Sequence, residues 1–187
     1  YKQMMVGVWE RVFEIGQAYR AEPSATSRHV TELTMLDMEM GFIEEHDDVL
    51  KMTEKLVYQV ATRLYEGSDK KMLNMVQAPP LKLTESFPRF TVDEIHEMYS
   101  KDTGENTIGE KDLSPAEERW ICNYSKKKHG CEAVFATNLP IEAMKFYHMK
   151  NPDDPKTALS ADLLFRGVEV ATCPMREHRY DEIVKQM

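Results

Sequence analysis

The chain of 187 residues has little of what a membrane span, a disulfide framework or a secretory leader requires. No apolar run approaches the ~20 residues that cross a bilayer, and no charged-then-apolar signal peptide opens the sequence. Its three cysteines have neither metal-site nor redox spacing, so we expect free thiols in a reducing compartment. These absences predict a cytoplasmic protein with no membrane partner.

The chain also lacks an excess of basic residues, since its formal net charge is -8. Phosphate backbones are bound mainly by clustered Lys and Arg, so a nucleic-acid partner would have to be contacted locally. Hydrophobic residues make up 42% of the chain and charged residues 30%, which is typical of one globular domain with a real core. The first residue is Tyr1 and the last, Met187, falls inside a helical pattern, so we expect an excerpt of a longer protein.

Hydrophobic periodicity organises the first half of the chain. Alternation over 12–20 and 32–42 predicts two antiparallel strands joined by a polar loop. Apolar residues at helical spacing over 47–65, with acids at the start, predict an amphipathic helix. The stretch 67–88 contains three prolines and no clear period, so we predict a surface connector.

The second half adds helices, a strand and another hairpin. Thr91 opens a short helix, and a second helix has Ser114 as N-cap, Pro115 at its first position and Gly130 beyond its end. "CEAVFATNLP" predicts a buried strand, "ALSADLLFRGVEVATC" a hairpin and "HRYDEIVKQM" a helix. This order predicts an α+β domain with a mostly antiparallel sheet.

The first candidate site is the charged loop of the first hairpin, which carries Arg20, Glu22, Arg28 and His29. Arginine offers forked donors that stay charged, as a phosphate ligand requires. Glu22 could accept from an exocyclic amine or simply hold Arg20. A solvated, salt-bridged loop explains the same residues equally well, because surface ion pairs are common and contribute little.

The second candidate is the pair Asp162 and Glu169, on the two arms of the second hairpin. Two such carboxylates are oxygen ligands of the kind that Mg²⁺ takes, although exposed acids are the simpler reading. Lys2 and Arg176 are cations far apart in sequence, to which spacing alone assigns no role. Four other histidines are expected at the surface or at helix ends: His46, His96, His129 and His148.

The stretch "FEIGQAYRAEPSATSRHVTELTMLDMEM" resembles the second signature motif of class II aminoacyl-tRNA synthetases, in the subclass of aspartyl, asparaginyl and lysyl enzymes. That motif runs F-R-x-E, a loop, R-H, and a strand ending in L-D-x-E-M. The similarity continues through "FPRFTVDEI", "FATNLPIEAMKFYHMKNPDDP", "SADLLFRGVEVAT" and "REHRYDEIV", so it covers essentially the whole chain.

The resemblance implies a class II synthetase-like, mostly antiparallel sheet flanked by helices, present as a partial domain. It further implies one partial catalytic domain over 1–187. Its parts would be a motif 2 hairpin at 12–42, a helical connector region at 47–130, and a metal-binding hairpin with a specificity loop at 131–187.

Within the subclass, "YKQ" at the start and "REHRY" near the end resemble the aspartyl enzymes of archaeal and eukaryotic type. The resemblance implies that Lys2 and Arg176 hold the side-chain carboxylate of the substrate. Asparaginyl enzymes have no such lysine. Two cations aimed at a carboxylate would be poorly paired by a neutral amide, and a site built for polar partners rejects analogues that lack them.

The remaining roles are implied residue by residue. The resemblance assigns the α-phosphate and the catalytic role to Arg20, the adenine amino group to Glu22, and the γ-phosphate to Arg28 and His29. Leu33 falls at the adenine-stacking position. Asp37 would hold the substrate α-amino group, and Asp162 with Glu169 the catalytic Mg²⁺.

The implied reaction is ATP-dependent activation of L-aspartate and transfer of the aspartyl group to tRNA(Asp), with tRNA(Asn) as a second candidate. Positioning and charge neutralisation by Arg20 and Mg²⁺ would supply most of the catalysis. The resemblance also implies a homodimer for the full-length protein. The nearest alternatives are an asparaginyl enzyme or an amidating paralogue, against which Lys2 argues, and a non-catalytic binding module.

The sequence departs from the family pattern in three respects. Leu33 replaces a phenylalanine that stacks on adenine, which should weaken nucleotide binding. Cys173-Pro174-Met175 replaces a glycine-rich stretch, so we expect a less adaptable backbone in the amino-acid pocket, with one N–H fewer. The first and third family motifs are absent from the sequence, so we expect the excerpt alone to be inactive or nearly so.

Overall fold

A computed structural model describes residues 1–21, 30–67 and 70–187 of the chain. These residues form two compact units, Tyr1–Glu44 and Glu45–Met187. Across the described residues, every helix is either too short or too polar to cross a membrane.

The first unit is a helix and a two-stranded antiparallel sheet. Helix α1 covers Lys2–Trp9, strand β1 Arg11–Tyr19 and strand β2 Glu32–Met40. The two strands confirm the predicted hairpin, whereas α1 was not predicted. Alternation gives the sheet one apolar face, on which Phe13 is 71% and Ile15 67% exposed.

The second unit contains five α-helices among its described residues: α2 (His46–Glu66), α3 (Lys70–Met75), α4 (Val92–Thr103), α5 (Pro115–Lys128) and α6 (Tyr180–Gln186). All of the predicted helices are confirmed. Capping boxes fix the starts of α4 and α5: Thr91 and Glu94 exchange side-chain bonds with each other's backbone N–H, and Ser114 and Glu117 do the same.

Four strands form the sheet of the second unit: β3 (Arg89–Thr91), β4 (Ala133–Thr137), β5 (Ser160–Phe165) and β6 (Val168–Pro174). They follow the order β3-β4-β5-β6, with β3 parallel to β4 and the other neighbours antiparallel. This sheet, mostly antiparallel and flanked by helices, confirms the predicted fold class.

Apolar side chains cover both faces of this sheet. Alternation along β4 sends Phe135 to one face and Val134 to the other, and both are fully buried. Leu50 of α2 packs in the cluster that contains Phe135, and Ile121 of α5 in the cluster that contains Val134. The strand sequence therefore reads as continuously hydrophobic, as it does for a sheet buried on both sides.

The surface connector predicted at 67–88 is wrong in two respects. It contains the short helix α3, and Phe87 is only 2% exposed, packed in the same core cluster as Leu50. The buried carboxylate of Glu54 accepts the Phe87 N–H at 2.5 Å. A tertiary contact rather than local periodicity thus orders the end of this segment.

Two histidines also differ from the prediction. His96 is fully buried within α4, with Nδ1 2.6 Å from Glu117 Oε1 on α5. His148 is 6% exposed, and burial lowers the pKa of its imidazole, with a further contribution from the positive charge of Arg176. The surface assignment holds for His129, which is exposed at the end of α5.

Candidate active site

Lys2 of α1 lies against two acids of β2. Its Nζ is 2.5 Å from Asp37 Oδ1 and 3.5 Å from Glu39 Oε2. The Lys2 side chain is 13% exposed and that of Asp37 is 46% exposed. Residues two apart on a strand point to the same face, which lets one ammonium contact both carboxylates. The structure thus brings together two predicted substrate-binding residues, Lys2 and Asp37, and adds Glu39.

Arg20 and Leu33 lie on the face of the hairpin that carries Asp37. The register pairs Ala18 with Leu33, and the ladder continues to the bond from Arg20 N–H to Thr31 O at 2.9 Å. Paired residues share a face in an antiparallel sheet, and every second residue returns to it. Arg20 is exposed and Leu33 half-buried. Three residues predicted to contact nucleotide or amino acid therefore share one surface.

Three predicted nucleotide contacts, Glu22, Arg28 and His29, lie outside the described residues. Their roles stay predictions.

A β-bulge aligns the two candidate metal ligands of the second unit. The register pairs Asp162 with Thr172 and Leu164 with Glu169, so β6 has one residue more than β5 between these pairs. Residues three apart on a regular strand point to opposite faces. The extra residue turns Glu169 to the face of Asp162 and Thr172. There the Thr172 hydroxyl donates to Glu169 Oε1 at 2.9 Å.

Asp162 is a largely buried carboxyl group whose negative charge is poorly compensated by the described residues around it. Burial and the nearby negative charge of Glu169 raise the pKa of Asp162 to about 7, and the charges of Asp112 and Glu118 add to the rise. A hydrogen bond with Thr172 acts in the opposite direction. Its Oδ1 is buried and forms no hydrogen bond with any described residue. A buried carboxylate without compensation is costly, and a bound cation would remove that cost.

Asp162 and Glu169, with the hydroxyl of Thr172 beside them, offer the hard oxygen atoms that Mg²⁺ takes. Among residues 1–21, 30–67 and 70–187, no three His, Cys, Asp or Glu side chains are placed to hold a metal ion together. Mg²⁺ is often bound by one or two carboxylates together with substrate phosphates. The pair therefore fits a cation that arrives with a nucleotide.

Arg176 follows β6 and is held by a short backbone ladder. Met149 N–H donates to Met175 O, and Glu177 N–H donates to Tyr147 O, both at 2.9 Å. The Arg176 guanidinium carbon lies 5.0 Å from the centroid of the Tyr147 ring, within cation–π range. Backbone bonds on both sides and an aromatic ring thus contribute to the position of this arginine.

Cys173-Pro174-Met175 leads into Arg176 in extended conformation, and all three residues have φ angles outside the left-handed region. Met175 N–H donates to Leu159 O at 2.7 Å. Residue pairs in an antiparallel ladder alternate between hydrogen-bonded and non-hydrogen-bonded, so the adjoining pair, Ser160 with Pro174, is of the non-hydrogen-bonded kind. An N–H at position 174 would therefore point away from β5. The backbone here consequently needs neither glycine nor a donor at position 174.

Sequence analysis missed Thr172 and Tyr147. Thr172 contacts Glu169 only because of the bulge, and no local sequence pattern predicts that bulge. Tyr147 occurs in the quoted segment "FYHMKNPDDP", but its contact with Arg176 joins residues far apart in sequence. An aromatic residue just before a turn-rich loop was the available signal.

Comparison with known proteins places this geometry in a family. A family model described as tRNA synthetases class II (D, K and N) matches residues 1–187. The aspartate–tRNA(Asp) ligase of Pyrococcus abyssi is 37% identical over 190 residues, covering 100% of this chain and 42% of that protein.

Solved structures agree with the sequence comparison. An aspartyl-tRNA synthetase from Entamoeba histolytica has a TM-score of 0.87 and 30% identity, over 99% of this chain and 38% of that one. An asparaginyl-tRNA synthetase from Pyrococcus horikoshii, complexed with asparaginyl-adenylate, has a TM-score of 0.88 and 28% identity, over 100% of this chain and 42% of that one. The chain thus spans less than half the length of these relatives. Since the family model covers every residue, the chain belongs to the class II tRNA synthetases of the D, K and N group.

Proposed function

We propose that this chain forms the central part of the catalytic domain of an ATP-dependent aspartate–tRNA ligase. The α-carboxylate of L-aspartate attacks the α-phosphorus of ATP, pyrophosphate leaves, and aspartyl-adenylate forms. The aspartyl group then passes to the terminal ribose of tRNA, and AMP is released. In this proposal 12–42 is the motif 2 hairpin, 47–130 the connector region, and 131–187 the metal-binding hairpin with the specificity loop.

The observation that carries the choice of aspartate is the Lys2 ammonium, which is largely shielded from solvent and lies 2.5 Å from Asp37. A shielded cation of this kind favours a charged carboxylate over a neutral carboxamide. Asp37, about half exposed, supplies an acceptor for the substrate α-ammonium group. We assign Arg176 as the second cation for the substrate carboxylate.

The nucleotide contacts of this proposal come from the motif resemblance. We assign Arg20 to the α-phosphate, where its positive charge would offset the negative charge that develops as the adenylate forms. The proposed nucleotide-binding set is Arg20, Glu22, Arg28, His29 and Leu33.

The residues present on the second hairpin fit Mg²⁺, which Asp162 and Glu169 would hold. When bound, the ion neutralises phosphate charge. The unpartnered Oδ1 of Asp162 and its raised pKa support this assignment. Thr172 would keep Glu169 oriented through its 2.9 Å hydrogen bond.

The test is amino-acid-dependent exchange of pyrophosphate into ATP by the protein that carries this chain, with aspartate and asparagine measured side by side. Exchange with aspartate alone is expected. Removal of Mg²⁺ by a chelator should abolish the exchange, and addition of the ion should restore it. Absence of exchange with either amino acid, on folded protein, would favour a non-catalytic binding module.

An asparaginyl enzyme or an amidating paralogue is the second candidate, because an asparaginyl-tRNA synthetase has the same fold at a TM-score of 0.88. The shielded ammonium of Lys2 argues against it, since a carboxamide would leave that charge without a new partner. Exchange that depends on asparagine and not on aspartate would select this candidate.

We propose tRNA(Asp) as the acceptor, tRNA(Asn) as a second acceptor, a homodimeric assembly and a cytoplasmic location. Aminoacylation assays with each purified tRNA decide the first two points. Sedimentation equilibrium decides the assembly. Fractionation of source cells decides the location.

A further inference from the structure

We propose that His46 is a positioning residue for Arg176, because its imidazole anchors the end of β6 from which Arg176 follows. This inference rests on the proposed role of Arg176 as a ligand of the substrate carboxylate. It assigns a part in amino-acid specificity to helix α2, which holds none of the predicted site residues.

The anchoring contact joins residues that are distant in sequence. His46 Nε2 lies 2.7 Å from the carbonyl oxygen of Cys173. A carbonyl oxygen only accepts, so the imidazole donates from Nε2–H. Burial lowers the pKa of His46 against the opposing hydrogen bond to Cys173, and the charge of Arg89 lowers it further. The neutral ring with its proton on Nε2 is therefore the species that makes this contact near neutral pH.

A second contact from α2 reaches the side chain of the same cysteine. Cys173 Sγ lies 3.4 Å from Thr53 Oγ1, and both residues are 4% exposed. His46 and Thr53 are separated by about two helical turns, so they lie on one face of α2. One helix face thus holds both the backbone and the side chain of Cys173.

The two residues between Cys173 and Arg176, Pro174 and Met175, have little conformational freedom. Proline fixes the φ angle at position 174. The N–H of Met175 is bonded to Leu159 O at 2.7 Å, and its carbonyl accepts from Met149 N–H at 2.9 Å. A shift of Cys173 would therefore be passed along the chain to Arg176. Side chains that bind a substrate must be held to within ~0.5 Å for full effect.

The first experiment separates positioning from general stability by steady-state pyrophosphate exchange with His46→Ala and His46→Gln in the protein that carries this chain. His46→Ala should raise KM for aspartate about three- to tenfold, the effect of losing one hydrogen bond, and leave KM for ATP within about twofold. His46→Gln keeps an N–H donor near the Nε2 position and should restore KM for aspartate. His129→Ala, at an exposed histidine, is the matched control and should change neither value.

Equal increases in both KM values, or no rescue by glutamine, would overturn the positioning role. Circular dichroism on each variant establishes that the comparison is made between folded proteins.

The second experiment does not depend on catalysis. Hydrogen exchange at the amides of Met175 and Glu177, without substrate, should be about tenfold faster in His46→Ala than in wild type and restored in His46→Gln. Unchanged exchange in His46→Ala would overturn the inference even if the protein activates aspartate. If the amide rates shift as expected while wild-type protein shows no aspartate-dependent activity, the anchor stands and the proposed function fails.

Discussion

The guanidinium of Arg166 donates two hydrogen bonds to one oxygen of Glu132, from Nε at 3.1 Å and from Nη2 at 2.8 Å. Arg166 sits in the turn between β5 and β6 and also donates to the Tyr65 hydroxyl at 3.0 Å and to Pro80 O at 3.1 Å. Glu132 is 3% exposed and receives a further ion pair from Lys126 at 2.7 Å. The turn of the candidate metal-binding hairpin is thereby fixed to α2 and to the connector.

Replacement of Arg166 by alanine should lower the free energy of unfolding by about 2–4 kcal/mol, because a buried carboxylate loses its main partner. Urea denaturation measures the change. Lys185→Ala is the control, because its ion pair with Glu182 is exposed and should contribute less than about 1 kcal/mol. Equal losses in the two variants would contradict the importance of the buried network.

Substitution of Gly167 by alanine should destabilise the protein more than substitution of Gly130. Both glycines have left-handed φ angles, +80° and +70°. A Cβ at position 167 would lie 2.6 Å from Arg119 Cγ and 3.0 Å from Arg119 Cα, whereas position 130 has nothing within 4 Å. We expect about 1 kcal/mol for the backbone strain alone at 130 and about 2–3 kcal/mol at 167. Melting temperatures of the two variants, measured in parallel, isolate the steric clash.

Stability should fall between about pH 4 and about pH 7 because of Asp162. Its pKa rises from the ordinary 3.8 to about 7 in the folded protein, through burial and the charge of Glu169. In this window the folded state binds a proton that the unfolded state has released, so a rise in pH favours unfolding. Below pH 4 Asp162 is protonated in both the folded and the unfolded state, so it does not make stability depend on pH. Above pH 7 it is ionised in both states, and the loss of stability is complete.

Asp162→Asn should remove this component, on the order of 2–4 kcal/mol between pH 4 and pH 8. Urea unfolding of wild type and variant across that range measures the difference in their free energies of unfolding at each pH. Mg²⁺ should stabilise wild type at pH 8 and have a smaller effect on the variant, because the ion offsets the ionised carboxylate. Identical pH dependence in the two proteins would show that Asp162 ionises normally.

Lys2→Gln should reduce kcat/KM for aspartate about 100-fold or more, because the substrate carboxylate loses the ammonium group proposed to bind it, while KM for ATP changes little. Lys51→Gln is the matched control, since this lysine is 59% exposed and pairs with Asp47 at 2.8 Å on the surface of α2. Steady-state exchange assays with both amino acids measure the effect. A proportional loss with aspartate and ATP would point to misfolding of the first unit instead.

The elements that carried local signals could be predicted from the sequence. Helix α2 has its apolar residues at helical spacing, and helices α4 and α5 begin at the cap residues Thr91 and Ser114. The two hairpins follow from alternation and from turn residues, including Gly167 with its positive φ. Such signals depend on residues close together in sequence, so they can be interpreted without knowledge of the rest of the fold.

What could not be predicted depends on contacts between distant segments. His96 was assigned to the surface, yet it shares one side of α4 with Val92, Ile95 and Tyr99, all buried. That spacing of three and four residues was the signal for a buried face. The pairing of His96 with Glu117 on the next helix could not be read from it, because packing between helices decides the partner.

The candidate site, too, has features that could be predicted from the sequence and features that could not. Asp162 and Glu169 were singled out as acids on two arms of a hairpin, but their common face depends on the bulge in β6. The addition of Glu39 to Lys2 and Asp37 is a consequence of where α1 packs, and α1 itself escaped prediction. Residue types were visible in the sequence, while the alignment of their side chains was set by register and packing.

Pro174 has a consequence for backbone pairing along β6. In the sheet formed by the described residues, β6 is an outermost strand, and the nitrogen of Pro174 points away from β5, toward the outer rim. A strand from another molecule that aligned along this rim would find no donor there and would forfeit a hydrogen bond. Natural proteins place proline on exposed rims to discourage such intermolecular pairing. The residue that leads the chain toward Arg176 therefore also removes a hydrogen-bond donor from this rim.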